Sequence, residues 1–257
     1  RTSQMKNKLA TIGVTLGIGM FAFAAAPSLA AEQSATPGSF SANVSLTSEY
    51  YFRGLSQTDD APAIQGGFDY EVPLAKPVAL YLGVWGSNVD FNEGAGVDGA
   101  TIEIDYYGGL KGNVGDSGVS WDVGFIYYSY PGADSSLDYD FWEAQAALGY
   151  DFGIASVTAS VNYSPENFGE SGAAFYPKLA VDVPVPGVKG LALSGHVAKQ
   201  YIDKEGVFGS PDYLEWNFGV GYSVLGFDLA VNYTDTDISP SADANDAMVL
   251  FTIGRSF

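Results

Sequence analysis

The chain has 257 residues, with 30 acidic against 11 basic side chains, no cysteine, and a formal charge of −19 at a pI near 4.1. Without cysteine there is no disulfide scaffold, cysteine zinc site or thiol chemistry, and so acidic a chain excludes a nucleic-acid binder, whose phosphate contacts need a basic face. At 47% hydrophobic residues it is not a disordered acidic tail either.

From the N-terminus, residues 1–4 precede Met5, which opens an export signal. Lys6 and Lys8 form its positive region, and residues 9–26 an apolar stretch broken by Gly13, Gly17 and Gly19. Pro27 and the small-residue triplet Ser28-Leu29-Ala30 follow. Cleavage is expected after Ala30. A permanent transmembrane helix is the alternative, weakened by the short, glycine-rich core and the small-residue site. Removal of residues 1–30 takes three of the eleven basic side chains and no acid, leaving 8 against 30 and a net charge of −22. Residues 31–39 then form a short periplasmic lead.

The rest of the chain, 40–257, alternates apolar and polar at period two, as a sheet with two unlike faces does. Val44, Leu46, Ser48, Tyr50 and Phe52 take one side of the first segment, with Asn43, Ser45, Thr47, Glu49 and Arg53 on the other. Twelve segments are predicted: near 40–52, 62–73, 78–88, 100–112, 118–129, 139–152, 154–164, 173–184, 188–200, 211–224, 225–235 and 246–257. Connections alternate between long polar ones (54–61, 89–99, 130–138, 165–172, 201–210, 236–245) and tight ones such as Gly153 and Leu225-Gly226. Strict alternation has no purpose in a soluble sandwich. It is the pattern of an all-β, antiparallel up-and-down outer-membrane barrel, with short periplasmic turns and long outer loops. Clusters such as Tyr50-Tyr51-Phe52, Tyr106-Tyr107 and Tyr127-Tyr128 are expected as interfacial girdles. The terminal Phe257 shares a face with Val249, Phe251 and Ile253 and reads as a signal to the outer-membrane assembly machinery; Arg255 on that face would snorkel at the rim.

Twelve strands tilted about 40° give a backbone diameter of roughly 24 Å and ~10 Å inside the side chains. That suits ions and small solutes. Facing inward would be Glu49, Asp69, Glu71, Glu103, Asp105, Asp122, Glu143, Asp182, Glu215 and Asp228, against Arg53, Lys111 and Lys178. A confined channel lined by one sign of charge concentrates counter-ions, so cation preference is expected. Glu49 and Arg53 on one strand face could form a constriction pair or a structural ion pair at the rim. Acids that merely wet the inner wall, or plug it with the few bases, remain the alternative.

The run from Val44 to Thr58, VSLTSEYYFRGLSQT, resembles the opening of the TorF family of proteins proposed as porins, formerly a conserved domain of unknown function. Residues 81–89, 103–109 and the closing Arg255-Ser256-Phe257 are similar too. The resemblance runs over the whole exported part and implies a Gram-negative outer-membrane barrel with a pore role. It names no solute.

Two other classes stay open. Barrel enzymes use a rim His with Ser or Asp, and here His196, the one histidine, lies inward beside Ser194 at mid-strand, poorly placed for lipid. No catalytic residue, metal site or cofactor is therefore assigned. A structural or adhesive barrel acting through its loops is the third class. The acidic loops could bind divalent cations or bridge to lipopolysaccharide, although solvated acids are the simpler reading.

Overall fold

The computed structural model of the chain describes residues 37–91, 97–240 and 242–257. The expected export signal and its cleavage site lie outside the described residues. Twelve strands form the wall: β1 (Ser39–Thr47), β4 (Ala63–Ala75), β5 (Val78–Asn88), β6 (Ile102–Asn113), β7 (Val119–Ser129), β8 (Phe141–Asp151), β9 (Ser156–Ser164), β10 (Ala174–Pro184), β11 (Leu191–Ile202), β12 (Tyr213–Val224), β13 (Phe227–Thr236) and β14 (Met248–Ser256). Each pairs antiparallel with its neighbour along the chain, and β1 closes the ring by pairing with both β4 and β14. Two further short strands, β2 (Tyr51–Phe52) and β3 (Leu55–Ser56), form a hairpin of their own.

The period-two pattern becomes the wall directly, because successive side chains of a strand point to opposite faces. In β8, Phe141, Glu143, Gln145, Ala147 and Gly149 are buried inside, while Trp142, Ala144, Ala146, Leu148 and Tyr150 are exposed outside. Outward residues elsewhere include Phe68, Phe218 and Phe251, each at least 60% exposed. Leaving such side chains in water forfeits about 1.5–3 kcal/mol apiece relative to an apolar surrounding, so the outer surface matches hydrocarbon. The tight ends use turn chemistry suited to hairpins: Leu225 (φ 55) and Gly226 (φ 81) supply the two positive φ values of a two-residue turn between β12 and β13.

One predicted segment is corrected. The first was expected to run to residue 52, but β1 ends at Thr47, which pairs with Thr252 of β14 and Ala63 of β4. Beyond it, Ser48 makes the last link to the wall, exchanging hydrogen bonds with the Phe251 backbone. β4 begins at Ala63, opposite Thr47, so beyond that point the chain has no strand on that side; it leaves the edge of β14 after Ser48, and residues 48–62 turn into the barrel. Tyr50 and Phe52, expected toward lipid, therefore lie inside it.

Candidate functional site: the lumen and its inner hairpin

The sequence around Arg53 is a two-residue hairpin in miniature. Tyr51 pairs with Ser56 and Phe52 with Leu55, so the turn is Arg53-Gly54, with φ of 50° and 78°. Such a turn needs positive φ at both residues and favours Asn-Gly. Arginine in that region is strained, so its contacts must hold it there. Gly54 is required for a second reason: an added Cβ would lie 2.4 Å from Thr236 Cγ2 and 3.2 Å from Glu215 Cβ. The hairpin leaves the wall between β1 and β4, and its tip reaches across the barrel. At the base, Gln57 N donates to Tyr50 O (2.8 Å) and Tyr50 N to Thr58 Oγ1 (3.0 Å). Glu49 accepts from Ser56 Oγ (2.5 Å) and from Asp60 N (3.2 Å). Glu49 thus secures the hairpin base, and the expected Glu49–Arg53 pair does not form, since the two are not on a common strand.

Arg53 instead meets the far wall. Its Nη2 lies 2.6 Å from Glu143 Oε2 on β8, with side-chain exposures of 7% and 1%, and its Nη1 donates to Gln200 Oε1 on β11 (3.0 Å). The guanidinium sits 4.1 Å from the centre of the Tyr176 ring and 4.7 Å from that of Phe52. Tyr213 donates to the Arg53 carbonyl (3.0 Å). Burial works against the Arg53 charge, but the Glu143 carboxylate outweighs it, and the guanidinium is held charged. Glu143 also accepts from Asn162 Nδ2 (3.0 Å) and Tyr128 OH (3.2 Å). Next to this group, Tyr176 donates to Glu215, whose two oxygens lie 2.9 and 3.0 Å from His196 Nε2. His196 thus faces inward as expected, with Glu215 as its partner.

On the near side, Tyr50 packs edge-on to Trp85 and donates to Glu103 (3.1 Å). Burial, and then the Glu103 charge, push the Tyr50 hydroxyl well above its ordinary range, so it serves as a neutral donor. Above it, Tyr130, Tyr139 and Phe141 pack with Phe91 and Phe168 into an aromatic cluster, Tyr139 stacking on Phe168 at 4.3 Å. The aromatic clusters read as girdles therefore divide. Tyr106, Tyr127, Trp142 and Tyr150 face outward, whereas Tyr128, Tyr130, Tyr139 and Phe141 fill the interior. Neighbouring residues on a strand take opposite faces, so a run of aromatics cannot serve one face alone.

All twelve wall strands place buried side chains at this end, from Thr47, Gln65 and Ser87 to Thr234 and Leu250. Glu103, Asp105, Glu143 and Glu215 are at most 2% exposed, and neither carboxylate oxygen of Asp105 is reached by an N–H or hydroxyl donor. The ~10 Å of open space expected from wall geometry is thus occupied at the loop end by the hairpin and the aromatic cluster.

Toward the turn end the lumen opens into a polar vestibule. Lys111 pairs with Glu71 at 2.6 Å, with side chains 27% and 43% exposed. Tyr81 donates to Asp122 (2.8 Å) and Tyr107 to Asp69 (2.6 Å). These rings lie flat on the wall over glycines: a Cβ on Gly109 or Gly124 would come within 2.5 Å of Tyr81 Oη, and one on Gly83 within 2.3 Å of the Tyr107 ring. Asp182 is exposed, Asp228 accepts from Ser223 (2.6 Å), and Lys178 lies 6.0 Å from the Tyr176 ring centre. At the closing edge Arg255 lies outward, 5.2 Å from the Phe257 ring and 5.5 Å from that of Phe227, with Phe257 63% exposed.

The predicted inward residues thus fall into two groups that the sequence did not separate. Arg53, Glu103, Asp105, Glu143 and Glu215 surround the sealed loop end, while Asp69, Glu71, Asp182 and Asp228 line the vestibule and Asp122 is buried beneath Tyr81. Gln200, Asn162, Tyr176 and Tyr213 were missed. The available signal was Arg53-Gly54 between Tyr51-Phe52 and Leu55-Ser56, a hairpin turn inside a loop.

The barrel resembles an outer membrane channel from Pseudomonas putida F1, with 11% identity, a TM-score of 0.51, and coverage of 86% of this chain and 96% of that one. A second likeness, to a membrane protein from a study of in-meso crystallization, has 9% identity, a TM-score of 0.53 and coverage of 85% and 83%. A KdgM porin in complex with disordered oligogalacturonate is similar at 9% identity and a TM-score of 0.48, over 84% of this chain and 98% of that one. At these identities the likeness is one of fold. No curated protein matches the sequence. A family model described as "Bacterial protein of unknown function (Gcw_chp)" matches residues 31–257.

Proposed function

The chain belongs to the Gcw_chp family, whose description assigns no activity, and from that premise we propose that it is a porin-like outer-membrane channel for passive diffusion of ions and small solutes, preferring cations. The observation that carries this is a closed wall whose outer face is apolar and whose inner face is acidic. Such a wall sits stably only in a bilayer and holds water only inside. The resemblance of residues 44–58 to the TorF family points the same way. In this reading the chain is exported by its N-terminal signal, handed to the Gram-negative outer-membrane assembly machinery through its Phe257 end, and surrounded by lipid and lipopolysaccharide.

Selectivity follows from the lining. Asp69, Glu71, Asp182 and Asp228 in the vestibule face Lys111, with Lys178 farther in beside Tyr176, so cations are concentrated and anions repelled. Because the hairpin fills the loop end, conduction requires residues 48–62 to move, and brief openings are expected. The test is recording from purified protein in planar bilayers under a salt gradient. Openings with a reversal potential of the cation-selective sign are expected. Anion preference would overturn the selectivity, and silence even with the hairpin displaced would favour a structural or adhesive barrel.

A further inference from the structure

Arg53 occupies a seat that the wall builds without help from the hairpin. Glu143 is fixed by Asn162 Nδ2 (3.0 Å) and Tyr128 OH (3.2 Å), both wall residues. The Tyr176 ring, which lies under the guanidinium, is held by its hydroxyl on Glu215, itself bonded to His196. Gln200 Oε1 supplies a second acceptor beside Glu143. A carboxylate and an amide oxygen set side by side over an aromatic face match a planar fork of N–H donors better than a compact ammonium. Lys178 nearby adds unfavourable charge, offset by Glu215, which lies in register with it through Ala198 of β11.

The side chain now in the seat is an imperfect guest. Its backbone is held at φ 50, where a two-residue turn prefers Asn, and its Nε is buried with no acceptor. A free guanidinium would gain the same acceptors and ring face without the strained turn. We propose that the Arg53 seat is a binding site for small guanidinium solutes, occupied in this conformation by the protein's own arginine. For its consequence this rests on the channel reading: guanidinium compounds would be a solute class that displaces the hairpin and passes. The binding itself does not require conduction.

The experiment uses purified full-length barrel in detergent, its folding checked by heat-modifiability, with methylguanidine and methylammonium as probes. By calorimetry, Arg53→Ala should bind methylguanidine about tenfold or more tightly than methylammonium, and the double variant Arg53→Ala with Glu143→Gln should lose that binding. Arg53→Gln serves equally should Arg53→Ala fail to fold. In the unaltered protein, methylguanidine should raise hydrogen exchange across residues 48–62 while the wall strands stay protected, and methylammonium should do so far less. Absence of methylguanidine binding to the folded Arg53 variant, binding that survives Glu143→Gln, or exchange over 48–62 that ignores the probe would each overturn the proposal. Bilayer recordings on the same variant separate the two readings. Binding without conductance sinks the channel and keeps the seat, and conductance without a methylguanidine preference does the reverse.

Discussion

Gly54→Ala tests whether the inner hairpin is a separable unit docked against the wall. Gly54 has φ +78, and an alanine there pays about 1–2 kcal/mol for the left-handed conformation. Its Cβ would meet Thr236 Cγ2 at 2.4 Å and Glu215 Cβ at 3.2 Å, inside a packed barrel, and overpacking of this kind costs about 1–3 kcal/mol. Taking about 2–5 kcal/mol together, the docked-to-undocked ratio should fall roughly 30- to 5,000-fold. Hydrogen exchange read by mass spectrometry over residues 48–62 reports that ratio directly, because the Gln57 amide bonded to Tyr50 O exchanges only when the hairpin opens. Gly132→Ala is the control: Gly132 has φ +92 but no atom within 4 Å of its would-be Cβ, so it pays the backbone cost without touching the hairpin. Unchanged protection of 48–62 in Gly54→Ala, or an equal loss in the wall strands, would refute the idea of a hairpin docked independently of the barrel.

Gly83→Ala should push the Tyr107 ring off the wall and break its bond to Asp69, lowering stability in a urea titration by about 1–3 kcal/mol. Tyr50→Phe leaves Glu103 buried without its hydroxyl, costing about 1–3 kcal/mol. This loss should appear as faster exchange over 48–62 and a red shift of Trp85 emission as Tyr50 leaves it. Asp105→Asn replaces a fully buried carboxyl, beside Glu103 and without a donor to satisfy it, by a neutral amide, so the unfolding midpoint should hold or rise. A marked fall would mean that Asp105 has a partner in the folded protein.

Most of the wall could be read from residues alone, since in a barrel the local rule and the global one coincide. The predicted segment 78–88 is β5 to the residue, and the alternation of Leu214 to Tyr222 assigns faces in β12 as observed. Reading failed where alternation continued past the end of pairing. Residues 48–52 still alternate, but β4 starts at Ala63, opposite Thr47, and leaves them unpaired on that side, so the chain parts from β14 after Ser48 and the same pattern turns inward. Glu143 shows the other limit. Its inward face was legible, yet nothing local to β8 indicates that Arg53, 90 positions earlier, would come to lie beside it.

The sequence by itself determined the strand count, the apolar exterior and the acidic interior, because each follows from a period of two over ten or so residues and from which connections are long. Only the tertiary structure decided whether that interior is open. Filling it depends on contacts between a loop and strands across the ring, which no period encodes. The hairpin's place rests on one arginine meeting Glu143, Gln200 and Tyr176, side chains on three different strands that closure of the barrel brings together.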